Sequence, residues 1–140
     1  MTYFLHIRAV QEPFEIGSDE NGRTMFSCNY DCSTGSNISD LEREILGLIS
    51  DADIVSESNR FVGMSDSLPL PTSSTDGPFV RIIRTSGYGP QLVRGSGSAS
   101  MKRRPSVQII TYSTDADLSS SAAQQIFELL AVIDQQTVTV

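Results

Sequence analysis

Few side chains in this sequence combine a reactive type with a spacing that chemistry needs. His6 is the only histidine. It sits inside the alternating stretch MTYFLHIRAV, so a structural imidazole outweighs a general base. Cys28 and Cys32 are the only cysteines. A zinc site takes a full tetrahedral ligand set, which here would require carboxylates or a second chain. A disulfide framework takes more cysteines and a secretory setting. Ordinary reduced thiols are the expectation. Asp51 and Asp53 lie close enough to pair as catalytic carboxylates, but solvated acids at a helix end are far commoner. Asp115 and Asp117 read as acids placed at a helix start, where the helix dipole favours them. The chain has no Gly-x-x-x-x-Gly-Lys-Ser/Thr phosphate loop and no Gly-x-Ser-x-Gly elbow. Gly95-Ser96-Gly97-Ser98 does not lead into a helix, so it reads as flexible spacing and not as a phosphate cradle. No catalytic, cofactor-binding or metal residue is therefore assigned, and a non-enzyme is expected.

The sharpest polar feature is the pair Arg103-Arg104. It closes a block of uniform charge. Residues 79–104 hold six bases (Arg81, Arg84, Arg94, Lys102, Arg103, Arg104) and no acid. Residues 1–78 hold thirteen acids and four bases, and residues 105–140 hold four acids and no base, for a net charge of −7. Three readings of the pair stay open: a solvated loop end, arginine forks meeting carboxylates of a neighbouring copy, or direct contact with DNA. The acidic total argues against a dedicated nucleic-acid binder, whose affinity comes mainly from neutralising phosphates.

The elements that must position these groups follow from periodicity. Residues 2–10 and 23–31 alternate as strands, and the turn-rich stretch between them (Pro13, Gly17, Asp19 to Gly22) makes a hairpin with a long loop. A lone hairpin is marginal in water. It must add to a main sheet or extend to a neighbouring subunit, and the STGSN stretch at 33–37 reads as a linker that gives reach. Ser39-Asp40-Leu41-Glu42 is a capping box that starts a helix carrying Leu41, Ile45, Leu48 and Ile49 on one face. That helix is expected to end near Ser50. A strand near Arg60 to Val62 follows, then loop from 64 to 78. Phe79–Thr85 is a strand with apolar groups on both faces. Ser86–Arg104 is expected to be a long hairpin loop. Val107–Ser113 returns antiparallel, with Pro105 before it. A helix from about Asp115 to Ile133 packs across the sheet, and Thr137–Val140 forms a short last strand.

The expected fold class is α+β: a small, mainly antiparallel sheet backed by two helices, with an added N-terminal β-hairpin or arm. Residues 1–37 would be the hairpin or arm, and residues 38–140 the compact domain. No apolar run reaches the roughly 18 residues of a membrane helix. The N-terminus has no positive region ahead of its apolar stretch, so it reads as a strand and not as a signal peptide. A soluble protein made in a cytoplasm is expected.

From Gly77 onward the order of features resembles the tail-terminator (tail-completion) proteins of long-tailed bacteriophages, a family also filed as minor capsid or neck proteins. The residues that carry the resemblance are Gly77-Pro78-Phe79-Val80 leading into a Gly/Pro loop, then Arg104-Pro105-Ser106-Val107-Gln108-Ile109, then the alanine-spaced helix from Ala122-Ala123 to Leu129-Leu130. The helix opened by Ile38-Ser39-Asp40-Leu41-Glu42-Arg43-Glu44-Ile45 suits the family's first helix. The resemblance covers residues 38–140, and its motifs are structural and not catalytic. The 37 residues before that first helix depart from the pattern.

The resemblance implies a structural virion protein forming a ring, usually a hexamer, assembled in the host bacterial cytoplasm. Such a ring caps the tail tube, stops its polymerisation and joins it to the head connector at the tail–head joint. Its partners would be copies of itself, the major tail tube protein and the connector or stopper, with genomic DNA only in transit and no cofactor or membrane. Negative charge suits a lumen that DNA must slide through. Arg94, Lys102, Arg103, Arg104 and Tyr88 are the expected subunit or tube interface. A head-side connector or stopper is the nearest alternative, and a small adaptor that binds peptides by strand addition is the alternative from another class.

Overall fold

The computed structural model describes residues 2–34, 41–64, 67–69, 77–92, 101–133 and 137–139, with side chains described over 7–32, 41–64, 67–69, 77–85 and 105–131. Its strands are β1 (Thr2–Ala9), β2 (Phe14–Ser18), β3 (Thr24–Thr34), β4 (Arg60–Val62), β5 (Phe79–Leu92), β6 (Met101–Ser113) and β7 (Thr137–Thr139). Its helices are α1 (Leu41–Asp51) and α2 (Ala116–Ile133), with a single 3-10 turn at Glu57–Asn59. The fold is α+β. One sheet runs in the order β4-β5-β6-β3-β1-β7, with β2 also paired to β3. All its pairings are antiparallel except β4 with β5.

Register sorts the sheet into two faces, because residues opposite one another share a side. Cys28 lies opposite Ile109, which lies opposite Ile82, and Tyr30 lies opposite Val107. These side chains form one core with Ile7, Cys32 and Val80 from the strands, Leu41, Ile45, Leu46 and Ile49 from α1, and Ile126 and Leu130 from α2. Both helices therefore cover the same face. The opposite face carries the row Met25, Tyr112, Phe79 and the row Ser27, Ile110, Arg81. Phe79, Ile110 and Tyr112 bury there against Phe61 and Leu68.

Helix ends follow the sequence. Asp115 accepts the Asp117 amide on Oδ1 at 2.9 Å, and its carbonyl accepts the Leu118 and Ser119 amides. It is the N-cap of α2, at the helix start where Asp115 and Asp117 are expected as acids. At the end of α1 the Asp53 amide donates to the Ser50 carbonyl and the Ile54 amide to the Ile49 carbonyl. Asp53 has φ 58, so it is the left-handed residue of a helix-ending motif in which glycine is commoner. Asp51 and Asp53 are both exposed, in keeping with helix-end acids. Ser39 and Asp40 of the capping box lie outside the described residues. Glu42 accepts from Arg84 Nε at 2.5 Å.

Three expectations are corrected. First, Ser86–Arg104 is not one long loop: β5 continues to Leu92 and β6 begins at Met101, with Leu92 opposite Met101. Glycine, serine and proline are absorbed by register shifts between Thr85 and Tyr88 and between Tyr88 and Gln91. Pro105, inside β6, falls opposite the first shift, the kind of place where a strand tolerates proline. Second, the stretch between the first two strands holds β2, paired to β3 through a bulge between Glu15 and Gly17. Gly17 and Pro13 had masked it as pure turn.

Third, the N-terminal strands do not stand apart as an arm. Of the two placements open to them, addition to the main sheet is the one observed. β3 pairs with β6 from Thr24↔Ser113 to Thr34↔Arg103. Its other edge is shared end to end by β2, opposite Thr24 to Ser27, and β1, opposite Tyr30 to Thr34. Ser33 and Thr34 belong to β3, and residues 35–37 of the expected linker lie outside the described residues. The expected division near residue 38 thus cuts through one sheet and one core.

Candidate functional site

The six bases of residues 79–104 separate into two groups. Arg81 is 5% exposed on the sheet face away from the helices. Its guanidinium lies 5.7 Å from the Phe61 ring and 5.9 Å from the Tyr112 ring, and it donates to the Gly63 carbonyl. Arg84 pairs with Glu42 of α1. Both are engaged within the fold. Three others lie further along the β5–β6 hairpin: Arg104 is opposite Tyr88, Lys102 is opposite Gln91, and Arg103 is opposite Thr34 of β3. The hairpin thus brings Tyr88, Lys102, Arg103 and Arg104 to one end of the sheet. Arg94 lies outside the described residues.

Sequence reasoning missed the part played by buried arginines. Arg23 is 0% exposed and lies 4.7 Å over the Phe79 ring. It donates to the Pro69 carbonyl, so with Arg81 it fastens the chain after β4 onto the second face. Burying a guanidinium is costly unless its donors and its flat faces find partners, and here the Pro69 and Gly63 carbonyls and the rings of Phe79, Phe61 and Tyr112 offset part of that cost. Alternation within β5 already put Arg81 beside Phe79 and Ile83 on an apolar face. Arg23, one residue after a turn, carried no such signal.

The potentially reactive groups are held quiet. Cys28 and Cys32 are free and buried. Burial pushes the Cys32 thiol up to about 12, helped by the Asp31 charge, opposed by Arg84 and reinforced by Glu42. Burial also raises the Cys28 thiol, opposed by its hydrogen bonds with Tyr30 and with the Gln11 carbonyl, which accepts from Sγ at 3.1 Å. The Tyr30 phenol is pushed above its usual range by burial and by its neighbour Cys28. The thiolate is the nucleophile and metal ligand, so these thiols act as core groups. His6 lies in β1 opposite Ser33.

Gly77, in the Gly-Pro step ahead of β5, has a structural reason. Its φ is 88, and a Cβ there would sit 2.9 Å from the Tyr112 carbonyl oxygen. Among the described residues no helix is long and apolar enough to cross a membrane. No family model, no curated protein and no solved structure matches this chain.

Proposed function

We propose that the protein is a structural subunit of a ring at the head–tail joint of a long-tailed bacteriophage, of the tail-terminator kind. The ring caps the tail tube, meets the head connector and lets DNA pass through its lumen. The observation that carries this reading is the β5–β6 hairpin. It runs to Leu92 and Met101, beyond the last described core positions of those strands, and its outer part has bases and no acid. A sheet backed on one face by two helices, with a basic two-stranded extension at one end, suits a part that joins copies of itself. The net charge of −7 suits a channel that DNA must leave without sticking.

The reading is tested by native mass spectrometry and electron microscopy of the purified chain, alone and with polymerising tail tube protein. Closed rings, hexameric in the simplest case, that bind tube ends and halt their growth are the expected result. A single subunit at every concentration, with no effect on tube growth, overturns it.

A further inference from the structure

Val10, Phe14 and Ile16 are exposed apolar side chains at 60%, 46% and 40%. They cluster where the chain leaves β1 and runs through β2. β2 pairs with β3 on one side only, and among the described residues no strand pairs with its outer edge. β2 is short and bulged, which blunts its edge for strand pairing, so what marks this surface is its exposed apolar side chains. Residues 10–20 also carry Glu12, Glu15 and Glu20, all exposed, and no base. Asp19, the remaining acid of this stretch, is occupied in its own turn, accepting from the Asn21 and Arg23 amides.

The charge of this edge is opposite to that of the hairpin end, and the topology keeps the two apart within one chain. Phe14 lies opposite Ser27 near the start of β3, whereas Arg103 lies opposite Thr34 at its end. At roughly 3.3 Å per residue this is about 23 Å along the strand, with two interstrand spacings of about 4.8 Å across it. An arginine side chain does not span that distance. The surfaces also sit on opposite edges of β3.

We propose that the β2 edge is the acceptor for the β5–β6 hairpin of a second copy, with Val10, Phe14 and Ile16 as the apolar contact and Glu12, Glu15 and Glu20 facing Lys102, Arg103 and Arg104. This rests on the ring reading above and adds the surfaces that make the ring. Two different patches at diagonal ends of the sheet make a head-to-tail contact, which closes into a ring when the rotation per subunit allows. Opposite charges set the register and speed the encounter, while the apolar centre supplies most of the affinity.

The test is a charge exchange in the full chain. One variant carries Lys102→Glu, Arg103→Glu and Arg104→Glu; the other carries Glu12→Lys, Glu15→Lys and Glu20→Lys. Each alone is expected to stay monomeric by light scattering, and an equal mixture to assemble with the subunits alternating. A third variant, Phe14→Ser with Ile16→Ser, leaves the charges and is expected to raise the concentration for half-assembly by at least about tenfold. If wild type assembles and the Glu→Lys variant assembles equally well, this contact is wrong and the ring reading stands. Single variants that stay monomeric and a mixture that also fails overturn the pairing of these two surfaces. A monomeric wild type overturns the ring reading itself.

Discussion

Thr111 and Ser119 exchange hydrogen bonds between β6 and α2: the Thr111 hydroxyl donates to the Ser119 carbonyl at 2.9 Å, and the Ser119 hydroxyl donates to the Thr111 carbonyl at 3.0 Å. Both residues are buried, at 1% and 0% exposure. A strand residue and a helix residue thus fix the angle at which α2 turns back over the sheet. Ser119→Ala leaves the Thr111 carbonyl short of a donor and is expected to cost about 1–3 kcal/mol. Urea denaturation of Ser119→Ala, Thr111→Val and the double variant measures it. The double variant should cost less than the sum, because the two groups satisfy one another.

Ile126 anchors the same helix at 1% exposure. Ile126→Ala is expected to lose about 2–5 kcal/mol in the same measurement. Phe14→Ala, at a residue 46% exposed, should barely move the midpoint of the monomer.

Arg81 is held by shape as well as charge. Arg81→Lys keeps the charge but loses the flat guanidinium that lies over Phe61 and Tyr112. We expect it to recover little of the stability lost in Arg81→Met. Faster hydrogen exchange should appear around Gly63, whose amide donates to the Ile82 carbonyl at 2.8 Å. Lysine behaving like wild type would show that charge alone matters there.

The buried thiols predict a pH dependence with a definite sign. In the unfolded chain a thiol ionises near about 8.5; in the native protein Cys32 holds its proton up to about 12. Between those values the native state binds more protons, so its stability falls as pH rises through that window and is fully present below it. Cys32→Ala should flatten the alkaline fall by up to about 1.4 kcal/mol per pH unit. A thiol reagent at pH 8 should label neither Cys28 nor Cys32 until denaturant is added.

Deleting residues 1–37 is expected to abolish folding. Ile7, Cys28, Tyr30 and Cys32 belong to the same core as α1 and α2, and β6 would lose its β3 partner. Circular dichroism of the 38–140 fragment decides the point: a cooperative thermal transition would restore the N-terminal segment as a separable arm.

Local pattern made most elements legible. The alternation around Ile7, the apolar period through Ile45 and Ile126, and the acids Asp115 and Asp117 were enough to place strands, helices and one helix start. Pairing was harder to read. Nothing near Thr24 to Thr34 states that β3 lies beside β6, because strand partnership is a tertiary choice made by packing both faces. Within the expected loop Ser86–Arg104, residues 86–92 and 101–104 read as loop because bulges in a ladder use the same residues as turns. Lys102, Arg103 and Arg104 stood out in the sequence as charge, but the inward placement of Arg81 and the pairing of Arg84 with Glu42 needed the fold. The β2 edge was hidden because Pro13 and Gly17 outweighed Phe14 and Ile16.

The place of β3 governs the order in which the protein can form. Its partner β6 is encoded far downstream, with Ser113 opposite Thr24 and Arg103 opposite Thr34. At elongation rates of roughly 5–20 residues per second, the first three strands wait on the order of several seconds for that partner. Until β6 emerges, one whole edge of β3 and the core side chains Cys28, Tyr30 and Cys32 have no cover from it. Newborn chains on a crowded polysome therefore present sticky strands to one another before any of them is finished. Yield in the cell should then depend on translation speed across residues 35–113 and on chaperones that hold nascent strands, more than on the stability of the completed fold.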